Sequence, residues 1–273
     1  MIRRDRSAQT KRFARWMLAC SLALFGAGLA GGTVQAFAPI DAIYQVSVIN
    51  ALLEGVFTGV TPVATLKEYG DFGLGTVHAV DGEMVADGGA FYRVAVDGRA
   101  YPLDDGELTP FAAVTFFRPE RVLETDRPMT DVELGEYLLE AVGTTSVPFA
   151  VRITGEFAYL RTRSAPAQER PYPRLADVIA KQTEFEFRDV QATVVGFWTP
   201  GYLDGVNVAG FHFHALTQGA SGGGHVLAFE SRNLRIELDE KDALLLVLPT
   251  RDADFRRLDL SEQVEGELNR LER

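Results

Sequence analysis

Cysteine and histidine are both scarce in this chain of 273 residues, which has one cysteine and four histidines. The cysteine, Cys20, lies in an apolar N-terminal run that we expect to be removed from the mature protein. Without thiols, the mature chain would have neither a disulfide nor a cysteine nucleophile. Any metal ion would then be bound by histidine and carboxylate side chains alone.

Positively charged residues are also fewer than negatively charged ones. The chain has 27 lysines and arginines against 38 aspartates and glutamates, a formal net charge of −11 at pH 7. Because phosphate binding requires a basic surface, this balance argues against nucleic acid as a partner. No low-complexity tract follows residue 40, and a hydrophobic content of 47% provides ample material for a core. The composition is that of a globular protein.

The N-terminus has the three parts of a secretory signal peptide. A basic segment, MIRRDRSAQTKRFAR, precedes the apolar run WMLACSLALFGAGLAGG. Small residues at Val34 and Ala36 predict cleavage before Phe37, which makes residues 1–36 the signal peptide. The alternative is a retained transmembrane anchor, but the run is short and rich in glycine and alanine. We therefore expect export to the periplasm or the medium, with no membrane association after cleavage.

Most of the remaining chain predicts short strands joined by tight turns. The segments GTVHAV, GEMVAD, AFYRVAV and RAYPL are separated by DG or GG, which favour antiparallel hairpins. We also expect FAVRITGEFAYLRTRS to form a hairpin of two strands. Helices are few; in the best predicted one, Thr130 and Glu133 match a capping box and Gly143 ends the helix. The pattern predicts an α+β fold with mixed or antiparallel sheets.

The proline-rich segment APAQERPYPR is the predicted boundary between two sheet-bearing subdomains. We assign residues 37–165 to an N-terminal α+β subdomain. Residues 166–273 form the second, a β-rich subdomain that would bind the metal. The last stretch, FRRLDLSEQVEGELNRLER, predicts a charged helical tail.

Three of the four histidines lie in one short stretch, GFHFHALTQGASGGGH, at residues 210–225. Residues i and i+2 of a strand point to the same face, so His212 and His214 would project together. A hairpin centred near Gly219 and Ala220 would place His225 opposite His214, within side-chain reach. Three converging imidazoles with an open coordination position are typical of a catalytic zinc site.

Other interpretations of these residues remain open at this stage. Two histidines at i and i+2 are often only partly exposed strand residues. The cupin pattern also contains His-x-His but needs a glutamate shortly afterwards, where this chain has Thr217 and Gln218. His78, the fourth histidine, lies in a predicted strand and is interpreted as structural. Glu83 would by default be a solvated residue of a hairpin turn.

Three longer segments together resemble the α-acetolactate decarboxylase family. They are IYQVSVINALLEGVFTG, LKEYGDFGLGTVHAVDGEMV and VGFWTPGYLDGVNVAGFHFHALTQGASGGGHVLAFE, and the resemblance runs from about residue 41 to the C-terminus. It implies an α+β fold with two sheet-bearing subdomains and a homodimer. It also implies conversion of (S)-2-acetolactate, a small 2-hydroxy-3-keto acid, to (R)-acetoin and CO2.

The resemblance also implies an active site. In the family, a zinc ion is held by three histidines of the H-x-H … GGH pattern, which match His212, His214 and His225. The family's glutamate in the DGE turn matches Glu83. Its arginine at the end of a strand matches Arg163, with Arg161 as the alternative.

A second family glutamate, near the C-terminus, falls at Glu272 within NRLER. Glu265 and Glu267 are close alternatives. Either Glu83 or this C-terminal glutamate would protonate the enediolate that follows loss of CO2. The residues alone do not decide between the two.

Two further hypotheses come from other classes of protein. One is a different secreted three-histidine zinc enzyme, such as a hydrolase or a cupin-like oxygenase. The other is a secreted binding protein without catalytic activity, in which the histidines are only structural. Metal content separates the second from the enzymes, and acetoin formation separates the decarboxylase from other zinc enzymes.

Overall fold

The computed structural model describes residues 40–260 of the chain. The predicted signal peptide, the C-terminal glutamates and most of the predicted helical tail lie outside these residues. The strands are β1 (Ala42–Val46), β2 (Thr61–Pro62), β3 (Phe72–Thr76), β4 (Glu83–Asp87), β5 (Ala90–Val94), β6 (Ala100–Pro102), β7 (Leu108–Thr109), β8 (Ala112–Thr115), β9 (Arg121–Thr125), β10 (Phe149–Ser164), β11 (Thr183–Thr199), β12 (Gly210–Thr217), β13 (Gly223–Glu240) and β14 (Ala243–Val247). The α-helices are α1 (Ile49–Leu53), α2 (Val63–Tyr69), α3 (Asp131–Val142) and α4 (Leu175–Ile179).

One sheet has seven strands, in the order β14-β1-β8-β3-β4-β5-β6. The pairing of β1 with β14 is parallel, and the other pairings are antiparallel. The successive antiparallel neighbours β3, β4 and β5 are those expected from the DG and GG turns. The sheet is therefore mixed.

The second large sheet has five strands, in the order β10-β11-β12-β13-β9, and all its pairings are antiparallel. Strand β10 also pairs with β13, so strands β10 to β13 form a closed circuit of hydrogen-bonded neighbours. With few helices and several mixed or antiparallel sheets, the fold confirms the predicted α+β class.

The prediction of a hairpin within residues 149–164 is wrong, because these residues form the single strand β10 of 16 residues. Gly155, the single glycine of this segment, lies inside the strand with φ at 154°. A Cβ atom at Gly155 would lie 2.0 Å from the carbonyl oxygen of Asn233 on β13. The glycine therefore permits a close approach of two strands at a register shift and not a reversal of the chain.

Helix α3 has the predicted capping box. The Thr130 hydroxyl accepts from the backbone N–H of Glu133, whose carboxylate accepts from the backbone N–H of Thr130. Leu134 and Leu138 are fully buried on one face, and Gly143 ends the helix in the left-handed conformation. Within residues 40–260, no helix has the length and apolar character needed to cross a membrane.

A shared core holds the two large sheets together. Phe72 and Leu74 on β3 pack in one buried cluster with Val195 and Phe197 on β11 and Leu216 on β12. The rings of Phe72 and Phe197 meet edge to face with centroids 6.2 Å apart. This packing brings one face of β12 against β4, where the candidate site lies.

Candidate metal centre and active site

The structure brings His212, His214 and His225 together between β12 and β13. All three side chains are buried, and one ring nitrogen from each lies within 4.8 Å of those of the other two. The register pairs His214 with His225 across the two strands, and Nε2 of His212 lies 3.2 Å from Nδ1 of His225. The three histidines thus form one cluster able to hold a metal ion.

The alternation of β12 explains why two imidazoles share a face. Phe213, between the histidines, packs in the core of the five-stranded sheet, and the ring of Phe211 stacks on it at 5.2 Å. Burial of these two aromatic rings fixes which face of β12 turns inward. His212 and His214 are therefore held on the opposite face, toward the seven-stranded sheet.

Two glycines at the start of β13 bring His225 close to its neighbours. Gly223 has φ at 150°, and a Cβ atom there would lie 1.9 Å from the carbonyl oxygen of Ala215. Gly224 has φ at 126°, and its Cβ atom would lie 2.4 Å from the carbonyl oxygen of Arg163. Only glycine allows this backbone conformation and this approach. The GGH sequence is thus a steric requirement of the cluster.

We expect Gly223→Ala to destabilise the protein by roughly 3 kcal/mol, because the left-handed backbone and the clash with the Ala215 carbonyl both cost free energy. Gly219→Ala is the matched control, since Gly219 has φ at 72° but open space around it. It should cost only about 1 kcal/mol. Urea denaturation of both variants measures the difference. Equal losses of stability would contradict the steric role of Gly223.

Burial keeps the imidazoles of His212 and His214 neutral. It lowers the pKa of His212 to about 3, with a smaller contribution from the positive charge of Arg163. It also lowers the pKa of His214 well below its usual value, helped by His212 and opposed by the carbonyl of Met84. Neutral imidazole is the form that binds metal ions.

The carbonyl of Met84 also orients His214. Its oxygen lies 2.8 Å from Nδ1 of His214, so Nδ1 carries the proton and donates it in a hydrogen bond. The other nitrogen, Nε2, is then available as a ligand, as in many metal sites where a second partner fixes the tautomer. Three converging imidazoles, of which His212 and His214 are neutral, fit a zinc ion with an open coordination position.

Glu83 begins β4 directly after Gly82, which has φ at 96°. The hydroxyl of Thr76 donates to the carbonyl of Gly82 at 2.7 Å and so holds this turn. The Glu83 side chain points into the protein, and its Oε2 lies 3.5 Å from Nε2 of His214. It is 9% exposed and therefore not the solvated turn residue that a hairpin glutamate would be by default.

Arg163 lies near the end of β10, opposite His225 on β13. Its side chain is 3% exposed and lines the same cavity as the three histidines and Glu83. Nη1 of Arg163 donates to Oε1 of Gln182 at 3.0 Å. Arg161 does not line this cavity. Its side chain is 41% exposed, and its Nη1 lies 3.8 Å from Oε2 of Glu184. Of the two arginines, the structure therefore brings Arg163 to the histidines.

Sequence comparison assigns this constellation to a family. The sequence model described as Alpha-acetolactate decarboxylase matches residues 43–262, most of the chain. The chain belongs to this family. The alpha-acetolactate decarboxylase of Methanosarcina mazei is 41% identical over 233 residues, 85% of this chain and 81% of the relative. That of Bacillus licheniformis is 36% identical over 231 residues, 83% of this chain and 91% of the relative.

The fold of the family agrees as well. The crystal structure of alpha-acetolactate decarboxylase from Bacillus subtilis strain 168 superposes with a TM-score of 0.82 at 34% identity. The superposition covers 85% of this chain and 98% of that chain. These matches confirm the predicted acetolactate decarboxylase family and, with it, the predicted class of enzyme, a carboxy-lyase.

His78 has a different place from the one predicted. It lies in a short 3-10 turn at residues 78–80 and not in a strand, because Ala79 and Val80 both have positive φ. The side chain is exposed, and its Nδ1 accepts a hydrogen bond from the backbone N–H of Gly59 at 2.9 Å. This contact supports the structural interpretation of His78.

Several residues in or next to this cavity were missed by sequence reasoning. Thr76 forms a hydrogen bond with the turn before Glu83, and Gln182 accepts one from the guanidinium of Arg163. An apolar wall of the cavity comes from short helices far apart in the sequence, with Leu52 on α1 and Leu175 on α4. No local pattern marks these residues, because the contact between α1 and α4 exists only in the folded chain.

Proposed function

We propose that this protein is a zinc-dependent decarboxylase that converts (S)-2-acetolactate to (R)-acetoin and CO2. The observation that carries the proposal is the convergence of three buried histidines with Glu83 and Arg163 in one cavity, in a chain of this family. The cavity has a polar side for the substrate oxygens and an apolar side for its methyl groups.

The three clustered histidines are the residues that would hold the metal. A zinc ion there would act as a Lewis acid and stabilise the negative charge that develops on the substrate when CO2 leaves. The hydrogen bond that Nδ1 of His214 donates to the Met84 carbonyl fixes one imidazole in place before the metal binds.

Arg163 is proposed to bind the substrate carboxylate. A guanidinium presents its donors in a planar fork that matches a carboxylate, and burial strengthens the charge-assisted hydrogen bonds. Held in this way, the carboxylate is oriented for cleavage of the bond between C1 and C2. The electron pair of that bond moves toward C2 and the neighbouring ketone oxygen as CO2 departs.

Glu83 is proposed to return a proton to C2. The carbon must be protonated on one face to give a single enantiomer of acetoin, which requires a fixed acid. The carboxyl group of Glu83 is buried beside His214, on the same cavity as Arg163. It would give its proton to C2 and regain one from solvent. Glu272, outside the described residues, remains the alternative donor.

The direct test is product formation from racemic 2-acetolactate by the purified, zinc-replete protein. We expect acetoin and CO2 in equal amounts, with (R)-acetoin dominant on chiral chromatography during early turnover. The absence of acetoin from a protein that contains zinc would overturn the decarboxylase proposal and favour another zinc enzyme. A protein that binds no zinc would favour the non-catalytic alternative.

Export and assembly complete the proposal. The signal-like residues 1–36 support secretion to the periplasm or the medium, with cleavage before Phe37. The mass of the protein recovered from culture tests this cleavage site. The resemblance to the family supports a homodimer, which sedimentation of the mature chain would test.

A further inference from the structure

Gln182 lies beside the cavity, in the turn that follows α4. Its backbone N–H donates to the carbonyl of Ile179 at 3.1 Å, which ties the turn to the helix. Its side-chain oxygen accepts a hydrogen bond from Nη1 of Arg163 at 3.0 Å. The turn thus brings an acceptor to the arginine that faces the histidine cluster.

The orientation of the Gln182 amide is fixed by a second contact. Its Nε2 donates to Oε1 of Glu184 at 3.2 Å. Because a carboxylate accepts and does not donate, the amide nitrogen must face Glu184. The amide oxygen then faces Arg163, and the same network excludes the flipped amide. Gln182 therefore presents its oxygen to the guanidinium in a defined direction.

This contact bears on how Arg163 can bind a substrate. A buried guanidinium takes its direction from the acceptors around it, since little solvent is available to its donors. An amide acceptor orients the guanidinium without adding a negative charge. A carboxylate at the same position would form an ion pair with Arg163 and compete with a carboxylate substrate.

We propose that Gln182 is a positioning residue that aims the guanidinium of Arg163 into the cavity without adding a negative charge that would compete with the substrate carboxylate. The inference rests on the proposed function, in which Arg163 binds that carboxylate. It adds a residue from α4 and its turn to the set of side chains on which the reaction depends.

Two variants separate orientation from charge. Gln182→Glu keeps an acceptor and adds a negative charge, so KM for 2-acetolactate should rise about tenfold while kcat stays within about twofold. Gln182→Met keeps the length of the side chain but has no amide acceptor, so kcat/KM should fall about tenfold with an appreciable part of the loss in kcat. A residue with only a structural role would give no such split.

Binding of 2-hydroxy-2-methylpropanoate provides a readout that does not depend on turnover. This 2-hydroxy acid has no ketone and cannot follow the proposed reaction. Calorimetry on the zinc-loaded protein should show a Kd about tenfold higher for Gln182→Glu than for the wild-type protein. Lys181→Gln is the matched control, because it makes the same change in net charge at the adjacent exposed residue and should leave the Kd within about twofold.

The outcomes distinguish this inference from the proposed function. Wild-type kinetics and wild-type Kd in both Gln182 variants would overturn the inference, as would equal effects of Gln182→Glu and Lys181→Gln. Failure of the wild-type protein to bind the 2-hydroxy acid would overturn it too. If the wild-type protein binds the acid, Gln182→Glu weakens that binding and acetoin is not formed, the inference stands and the proposed reaction fails.

Discussion

Replacement of His214 by alanine is expected to lower kcat/KM for acetoin formation by roughly a thousandfold or more and to lower zinc content sharply. A bound metal contributes several kcal/mol of transition-state stabilisation, and about 4 kcal/mol corresponds to a thousandfold change in rate. His214 is 1% exposed, and its Nδ1 is held by the Met84 carbonyl. Its loss removes a pre-oriented imidazole from the cluster.

His78→Gln is the matched control for His214→Ala. It changes a histidine that is exposed and away from the cluster, and an amide can replace its contact with the Gly59 N–H. Zinc content and activity should stay within about twofold of the wild-type values. Because His214→Ala also leaves the buried Met84 carbonyl without its donor, His212→Gln serves as a second cluster variant. Wild-type zinc content in both cluster variants would contradict the metal site.

Replacement of Glu83 by glutamine is expected to lower kcat for acetoin formation by about 10²- to 10⁴-fold, the usual contribution of a positioned general acid. Glutamine keeps the shape and hydrogen-bonding capacity of the side chain but has no carboxyl proton to give. Because the three histidines, and not Glu83, are proposed to hold the zinc ion, the zinc content of the variant should equal that of the wild-type protein. Single-turnover kinetics together with metal analysis measure both quantities.

Two comparisons decide what a loss of activity in Glu83→Gln means. Glu136→Gln changes an exposed glutamate of α3 and should leave kcat unchanged. Glu272→Gln tests the alternative donor. If it abolishes turnover while Glu83→Gln does not, the proton comes from the C-terminal glutamate and the role proposed for Glu83 is wrong.

Much of the histidine cluster could be predicted from short sequence patterns. The i, i+2 spacing gives His212 and His214 one face, and the glycine-rich turn sets the register that places His225 opposite His214. Both relations depend on residues close in sequence. The capping box of α3 was predictable for the same reason, because it depends on contacts three residues apart.

The remaining parts of the site depend on contacts between distant segments. Glu83 is on the seven-stranded sheet and Arg163 on the five-stranded one, so their place in one cavity follows from the packing of the two sheets. The family resemblance named both residues, whereas it did not name Gln182. The contact between Gln182 and Arg163 joins the turn after α4 to strand β10 and has no sequence signature.

The wrong prediction of a hairpin at residues 149–164 has a physical cause as well. A glycine within a segment of alternating apolar and polar residues is compatible with a turn. It is equally compatible with a strand that a neighbouring strand approaches closely. The carbonyl of Asn233 decides between them, since it occupies the space where a side chain at Gly155 would lie. Asn233 comes 78 residues later in the numbering, so the sequence around Gly155 could not reveal it. The predicted boundary between residues 165 and 166 stays a prediction.

The central claim is that the three-histidine cluster binds a zinc ion on which decarboxylation depends. Its most direct test is the rate of acetoin formation as zinc is titrated into the metal-stripped protein. The rate should rise linearly from near zero and level off at about one zinc ion per chain, the stoichiometry of a single three-histidine site. A rate that is already full without zinc, or that stays at zero after zinc has bound, would contradict the claim.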